Sequence, residues 1–209
     1  MKTAETALHP QTRRHLINSE RLRKAAIQEF AQQGYLDAKV SSIVATAELS
    51  QPSFYRVWPS KEAAYQNIVE DTNGIWQEAA FNSLHLEGGG SHRALLGRKI
   101  EHFFQVLTAD PHLTRMVLRH NLQADRHQLY VDIYQNQFER LQRAGIVRTD
   151  LSAELLAQVY TALTERFFYA RLLEQHQTPK QAASELVTVL SPLLFMNCPL
   201  PGGPYSEPT

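Results

Sequence analysis

The sequence predicts an all-α fold, and three observations support this prediction. Apolar residues recur at helical spacing in most stretches of the chain, and Ser, Thr or Asp residues that can cap a helix precede them. No stretch alternates apolar and polar residues as a half-buried strand does. No repeat of fixed period is visible, and the length of 209 residues suits two helical domains.

The first predicted helix begins at Asn18 or Ser19 and ends at Gly34, because glycine is favoured directly after a helix C-terminus. Residues 1–17 are polar and include Pro10, so we expect a mobile arm before this helix.

Two short helices separated by a tight turn are predicted next. The first carries apolar residues at i, i+3, i+4 and i+7, namely Val40, Ile43, Val44 and Ala47. The turn Glu48-Leu49-Ser50 breaks this period, and we expect Ser50 to cap the second helix by accepting a hydrogen bond from the Ser53 N–H. Pro52 fits the first helical turn, and Ser60 is predicted to cap a third helix. Two short helices joined in this way form a helix-turn-helix.

The outward face of the second short helix distinguishes this motif from an ordinary helical hairpin. Phe54 and Val57 are predicted to face inward, and the solvent face then carries Gln51, Ser53, Tyr55 and Arg56. Gln and Arg side chains read base edges, whereas Tyr, Ser and Lys side chains hold phosphates. The second helix of such a motif lies in the DNA major groove. The composition of this face therefore favours DNA binding.

The chain from Asn18 to about Glu78 resembles the N-terminal domain of the tetracycline-repressor (TetR) family of bacterial transcription regulators. The most specific part of the resemblance is Trp58-Pro59-Ser60-Lys61-Glu62, and the other matching residues are Ala25, Ala26, Phe30, Ala31, Gly34, Tyr35, Val40, Ile43, Ser50 and Tyr55. The resemblance implies that Tyr55 and Lys61 contact phosphates and that residues 51–56 face the bases. The DNA-binding surface that we predict consists of Lys39, Ser41, Ser42, Gln51, Pro52, Ser53, Tyr55, Arg56 and Lys61.

Four positions depart from residues that are frequent in the family. Lys39 replaces a frequent Thr. Glu48 and Pro52 each replace a frequent Gly, so we expect Glu48 in the left-handed backbone region at a cost of about 1 kcal/mol. Arg56 replaces a frequent His and offers a bidentate contact to guanine. These changes affect the expected operator sequence rather than the fold.

Charge is distributed too evenly for DNA binding by bulk attraction. The chain has 21 Lys and Arg residues and 21 Asp and Glu residues, and residues 1–70 carry nine basic against seven acidic residues. We expect binding to depend on a local basic patch and on two subunits binding together. Arg13, Arg14 and His15 in the predicted arm either stay in solvent or follow a DNA backbone, as basic arms do.

The rest of the chain is predicted to form helices with clear start signals. The helix opened by Ser60 keeps an apolar stripe to Ala79, which makes it a candidate rigid connection between two domains. Glycines 88–90 mark a loop. Later helices are expected to begin near Ser91, Asp110, Arg126, Asp150 or Ser152, and Thr178.

The last two helices carry apolar residues on more than one face, as at Leu155-Leu156 and Leu193-Leu194. Such helices need two neighbours, and we expect the second neighbour to be another copy of the chain. The resemblance also implies a homodimer through the last two long helices. Two-fold symmetry then places two recognition helices about 34 Å apart, or somewhat more, on a pseudo-palindrome. The alternative is that both helices belong to the core of one subunit.

No sequence motif for catalysis or for a metal site is visible. The chain has no H-E-x-x-H, no Cys/His quartet with zinc spacing and no G-x-S-x-G serine, so its nine histidines are interpreted as scattered surface residues. Cys198 is the only cysteine, which suits a reducing cytoplasm. We expect no enzyme activity, no metal and no cofactor.

A ligand pocket is the expected use of the C-terminal half, because small-molecule sites combine aromatic walls with a few polar groups. The candidate lining residues are Trp76, His102, Phe103, Arg115, His120, Tyr130, Tyr134, Glu165, Phe168 and Tyr169. Each of them also fits an ordinary core or surface position. Their combination of aromatic, basic and acidic side chains does not identify a ligand.

The sequence thus predicts an arm (1–17), a helix-turn-helix DNA-binding domain (18–78), a ligand-binding and dimerisation domain (79–196) and a disordered tail (197–209). The expected function is a ligand-responsive transcription regulator that binds a pseudo-palindromic double-stranded DNA operator as a homodimer. We expect it to act as a repressor that a small-molecule effector releases. The alternative is a helical ligand-sensing, metal-sensing or protein-interaction module without operator binding. We expect a cytoplasmic protein with no membrane segment.

Overall fold

The computed structural model describes residues 10–87, 90–121 and 126–195, and every regular element in them is a helix, as predicted. In chain order the α-helices are α1 (Pro10–Asp37), α2 (Val40–Thr46), α3 (Gln51–Val57), α4 (Lys61–Ser83), α5 (His92–Thr108), α6 (Pro111–Asn121), α7 (His127–Arg143), α8 (Ala153–Phe167) and α9 (Pro179–Leu194). A π-helical segment, Phe168–Glu174, continues from α8. Within the described ranges, no helix is long and apolar enough to cross a membrane.

The chain divides into two compact units, each of which is discontinuous in sequence. The first comprises Met1–Gly74 with Asp110–Gln123, and the second comprises Ile75–Ala109 with Ala124–Thr209. The predicted domains are continuous in sequence, because local patterns do not show that α6 returns to pack against α1. Helix α4 contributes residues to both units.

The start of α1 differs from the prediction. The helix begins at Pro10 rather than at Asn18 or Ser19, so residues 10–17 of the predicted arm are helical. Proline suits a first helical turn, and residues 11–17 contain neither Gly nor Pro to stop the helix. Gly34 has φ 78° and ψ 169° and breaks the helical geometry where the sequence predicts an end. Residues 1–9 and 196–209, with Cys198 and the predicted tail, lie outside the described residues, as do residues 88–89 of the glycine loop.

In the first unit, α1 packs against α2, α3 and α6. Its core side chains are almost fully buried and include Leu22, Ala26, Phe30, Ile43, Phe54, Ala64 and Ile68. This core fixes α2 and α3 although each is only seven residues long. Isolated helices of that length are not stable in water.

In the second unit, α7 packs against α8, and α9 packs against α5 and α8. Its largest fully buried side chains include Phe104, Tyr134, Phe138 and Tyr160. The predicted starts of α5, α8 and α9 are confirmed by side-chain caps from Ser91, Ser152 and Thr178. Helix α8 ends at Phe167, and the helical geometry changes to π at Phe168.

Candidate nucleic-acid interface

The turn between α2 and α3 has the backbone geometry that the sequence predicts. Glu48 has φ 52°, in the left-handed region that costs a non-glycine residue about 1 kcal/mol or more. Its carboxylate Oε2 lies 2.6 Å from Nη2 of Arg21 on α1. The turn is thus tied to α1 by an exposed ion pair, which offsets only part of the backbone cost because exposed pairs are weak.

The start of α2 lacks a side-chain cap of its own, because Lys39 occupies the N-cap position. Glu29 of α1 holds this position from outside the helix, since its Oε1 accepts a hydrogen bond from the Lys39 N–H at 3.0 Å. The side chains of Lys39 and Ser41 are exposed, and that of Ser42 is half-buried. A second contact from α1 therefore positions the motif and leaves two of these three predicted DNA-contacting side chains in solvent.

The start of α3 differs from the prediction in one detail. Ser50 occupies the N-cap, but its hydroxyl makes no capping bond to a backbone N–H. The Ser53 N–H instead donates to the Ser50 carbonyl at 2.9 Å, and the two serine hydroxyls lie 3.0 Å apart. The backbone carbonyl satisfies the Ser53 N–H, so the Ser50 hydroxyl pairs with the Ser53 hydroxyl.

The outward face of α3 is exposed and the inward face is anchored. Phe54 is fully buried, and its ring packs against the rings of Tyr55 and Trp58 at centroid distances of 5.5 and 5.4 Å. Tyr55 is 52% exposed, and Gln51, Pro52 and Arg56 are also exposed, whereas Ser53 is half-buried. A rigid anchor thus presents the side chains that the sequence predicts to face DNA.

Arg56 is held against its own helix through one nitrogen. Its Nε donates to the Pro52 carbonyl at 3.3 Å. Within the described residues no ion pair engages the two terminal nitrogens of Arg56. They are therefore available for the bidentate contact that arginine makes with guanine.

Lys61 lies in an environment that its sequence position does not reveal. Its Nζ donates to three backbone carbonyls at the end of α1, those of Tyr35 at 2.8 Å, Leu36 at 3.0 Å and Ala38 at 2.9 Å. The same ammonium lies 4.8 Å from the centroid of the Tyr35 ring. Ser60 caps α4 beside it, accepting from the Ala63 N–H at 3.0 Å, as predicted. All three N–H donors of the ammonium thus have partners inside the protein.

The predicted ligand-site residues are distributed over both units. Arg115 and His120 lie on α6 in the first unit, where Arg115 is exposed and His120 lies 5.7 Å from the Tyr65 ring. In the second unit, Trp76, Phe103, Tyr134 and Phe168 are buried, His102 is exposed, and Tyr130, Glu165 and Tyr169 are partly exposed. The structure therefore does not bring the ten predicted residues together in one unit.

A smaller polar cluster does form between α7 and α8, and we call Arg126, His127, Tyr130, Thr161 and Glu165 the α7–α8 cluster. His127 Nδ1 lies 3.2 Å from Glu165 Oε2. Burial raises the pKa of Tyr130 to about 12, with Arg126 opposing the rise and Glu165 adding to it. Thr161 Oγ1 and Arg126 Nε are buried without a hydrogen-bond partner among the described residues.

Three members of this cluster are absent from the sequence prediction, namely Arg126, His127 and Thr161. Helical spacing offers a signal for His127 alone, which shares a face of α7 with Tyr130 and Tyr134 at i, i+3 and i+7. No group of three or more His, Cys, Asp or Glu side chains in the described ranges is arranged to hold a metal ion.

An all-α chain with this exposed α3 face has the architecture of a helix-turn-helix DNA-binding protein, and comparison with known proteins agrees. The family profile "Bacterial regulatory proteins, tetR family" matches residues 22–66. The chain is 34% identical over 178 residues to the uncharacterized HTH-type transcriptional regulator YdgC of Bacillus subtilis (strain 168), covering 82% of this chain and 89% of that protein. The chain therefore belongs to the TetR family and is a transcription regulator, not an enzyme.

Two solved structures share the fold at low sequence identity. The SmeT–triclosan complex has a TM-score of 0.67 and 16% identity, with 91% of this chain and 99% of that chain covered. A gamma-butyrolactone receptor (ArpA like protein) has a TM-score of 0.65 and 18% identity, with 87% and 90% covered. Both likenesses extend over the second unit as well as the first.

Proposed function

We propose that this regulator is a homodimeric, ligand-responsive repressor that reads its operator with α3. The exposed face of α3 carries the proposal, because Tyr55, Gln51 and Arg56 project from a helix that the fully buried Phe54 anchors on its other side. Gln51 and Arg56 would read base edges, and Tyr55 would hold a phosphate. Lys39, Ser41, Ser42, Pro52 and Ser53 would lie at the border of the same surface.

For Lys61 we propose a positioning role in place of phosphate contact. Its ammonium is already bonded to three carbonyls that follow the break at Gly34 or lie just beyond the helix end. A cation there stabilises carbonyls that have no helical partner, and it fixes α1 relative to the start of α4. DNA would have to displace three hydrogen bonds to recruit this side chain.

The proposed dimer interface is the exposed apolar surface of α8 and α9. A shallow cavity of about 80 Å³ there is lined by apolar side chains of both helices and the preceding turn, including Leu155, Val159, Leu190 and Leu193. Leu155 is 43% exposed and Val189 is 44% exposed. A second copy would cover this surface, and paired subunits would place two α3 helices on a pseudo-palindrome.

The proposed effector site is the α7–α8 cluster in the second unit. Its buried Thr161 hydroxyl and Arg126 Nε are polar groups that a ligand would satisfy. Two proteins of the same fold support small-molecule binding, since one is a complex with triclosan and the other is a gamma-butyrolactone receptor. The continuous α4 would transmit the signal, with a coupling of typically about 1–3 kcal/mol. We also propose a cytoplasmic location, where the DNA target is found.

The experiment for the repressor proposal is operator selection followed by a reporter assay. Purified protein would be incubated with random duplex DNA, and the enriched sequence would be placed over a promoter. The proposal expects a pseudo-palindrome and lower reporter expression in the presence of the protein. Higher expression would identify an activator, and no enriched sequence would contradict operator binding altogether.

Two exposed leucines, one on the proposed interface and one outside it, allow the dimer interface to be tested. Leu155→Glu, on the proposed interface, is expected to yield monomers in sedimentation and to weaken operator binding. Leu129→Glu, at a leucine of α7 that is 38% exposed, is the control and should remain dimeric. Dimers in both variants would place the interface elsewhere.

A further inference from the structure

The N-terminal part of α1 and the recognition helix α3 face each other across an open cleft of about 590 Å³ in the first unit. One wall belongs to α1 and carries Gln11, Arg14, His15 and Asn18. The other wall belongs to the helix-turn-helix and carries Glu48, Leu49, Ser50, Ser53, Arg56 and Val57. Gln11, Arg14 and His15 lie within the predicted arm, and Asn18 is the first residue of the predicted domain.

The charge of this cleft is suited to an anion. Arg14 and Arg56 line opposite walls, and His15 and the hydroxyls of Ser50 and Ser53 add hydrogen-bonding groups. Among the described residues that line the cleft, Glu48 is the only acidic one, and its carboxylate is paired with Arg21 at 2.6 Å. Within the described residues, Arg14 takes part in none of the ion pairs.

We infer that this cleft receives the phosphate backbone that borders the major groove read by α3, with Arg14 as its principal phosphate contact. In helix-turn-helix complexes the elements beside the recognition helix contact the DNA backbone. Because residues 10–17 are helical, Arg14 is held on a rigid wall and loses less conformational freedom on binding than it would in a flexible arm. The inference rests on the proposed reading of DNA by α3 and adds a second contact surface outside the helix-turn-helix.

Adjacent arginines provide the matched control. Arg13 and Arg14 are both exposed residues of α1, but only Arg14 lines the cleft. Arg14→Gln and Arg13→Gln remove the same charge from neighbouring positions, and glutamine is a good helix former, so both variants should fold alike. Unchanged thermal midpoints would verify this.

The test measures operator affinity across a salt series for the full-length protein and both variants. Two duplexes are compared, the selected operator with flanking base pairs and the same operator trimmed to its two half-sites. Arg14→Gln is expected to weaken binding to the longer duplex and to reduce the slope of log K against log[salt] by about 0.9 per subunit. Arg13→Gln is expected to leave the slope close to that of the unmodified protein.

Two results would overturn the inference. The first is the same slope change in both variants, which would indicate general attraction by a positive helix. The second is no change for Arg14→Gln on either duplex, which would leave the cleft without a role in DNA binding. Failure of the unmodified protein to select any operator would contradict the proposed function as well, so the two failures are distinguishable.

Discussion

The helix-turn-helix and the α7–α8 pair place their polar side chains in opposite environments. On α3, Tyr55 is 52% exposed and Arg56 is also exposed, whereas on α8 the hydroxyl-bearing Tyr160 and Thr161 are buried. Exposed polar groups cost no desolvation in the unbound protein, so the α3 face is available for a partner. Buried polar groups need internal partners. Tyr160 has one, since its OH lies 3.1 Å from Ser83 Oγ, whereas Thr161 Oγ1 has none among the described residues.

This difference indicates that the exposed Tyr55 contributes to the free energy of DNA binding, whereas the buried Tyr160 contributes to the free energy of folding. Tyr55 should affect binding and change folding much less, because its side chain is 52% exposed and meets the core through an edge-to-face contact with the Phe54 ring. Tyr160 should affect folding, because its ring packs against Tyr134 and Phe138 at centroid distances of 4.6 and 5.8 Å. Substitutions of Tyr55 and Tyr160 can therefore be compared by measuring operator affinity and unfolding free energy separately.

The largest expected effect is that of Tyr160→Ala on stability. Removing a fully buried aromatic side chain should lower the free energy of unfolding by about 3–5 kcal/mol, because it leaves a cavity. Urea unfolding followed by circular dichroism would measure it. Tyr55→Ala is the comparison variant and should lower the unfolding free energy by no more than about 1.5 kcal/mol, because it removes one aromatic contact with Phe54. Equal destabilisation by the two variants would remove the distinction.

Alkaline pH should weaken the second unit through its buried tyrosines. Burial raises the pKa of Tyr130 from 10.0 to about 12 and raises that of Tyr134 well above its ordinary value. The folded protein therefore retains protons that the unfolded chain releases, so the contribution of these tyrosines to stability is constant below about pH 10 and falls between about pH 10 and 12. For Tyr130 this loss is at most about 2–3 kcal/mol.

Tyr130→Phe is the control for this pH dependence. The variant has no phenol to ionise, so its unfolding free energy should fall less steeply between about pH 10 and 12 than that of the unmodified protein. Chemical denaturation at a series of pH values would show the difference. Identical profiles would mean that Tyr130 titrates alike in the folded and unfolded chains.

Lys61→Met sharpens the comparison within the first unit. Loss of the charged hydrogen bonds to the α1 carbonyls should lower the free energy of unfolding by about 1–3 kcal/mol. Operator affinity should fall with it, whereas the salt dependence of binding should stay constant because no phosphate contact is lost. A phosphate-binding Lys61 would give the reverse result, namely unchanged stability and a reduced salt slope.

The smallest expected effect is that of Glu48→Gly. Glycine removes the strain at φ 52°, and the lost pair with Arg21 is exposed and weak. The change should stabilise the protein by less than about 1 kcal/mol, measured as a small rise in the thermal midpoint. Arg21→Gln should lower the thermal midpoint slightly. A marked loss of stability in Glu48→Gly would show that the ion pair stabilises the turn more than the strain destabilises it.

The sequence predicted the helix-turn-helix well because its determinants are local. The apolar spacing of α2, the turn at Glu48 and the cap at Ser60 depend on residues a few positions apart. The start of α1 was predicted late because Asn18 is a good cap residue, although the helix continues before it to Pro10. The π-helical segment Phe168–Glu174 was also not predicted, because a single π-helical turn is too short to show an apolar spacing different from that of an α-helix.

The candidate sites were harder to predict because they depend on tertiary packing. Arg115 and His120 were assigned to a C-terminal pocket, but α6 packs against α1 in the first unit. The family resemblance predicts a lysine at position 61 but does not predict its hydrogen bonds, because these depend on where the end of α1 lies. The cluster of Arg126, His127 and Thr161 requires α7 and α8 to be adjacent, which spacing within one helix does not reveal.

The most direct test of base reading by α3 is the base preference of Arg56→Ala at the selected operator. Affinities of the variant and the unmodified protein would be measured for every single-base change in one half-site. We predict that preference is lost at one base pair, at a cost of about 1–3 kcal/mol, while preferences elsewhere are retained. A uniform loss at all positions would contradict the account, because it would show that Arg56 holds the backbone and that α3 does not read bases through it.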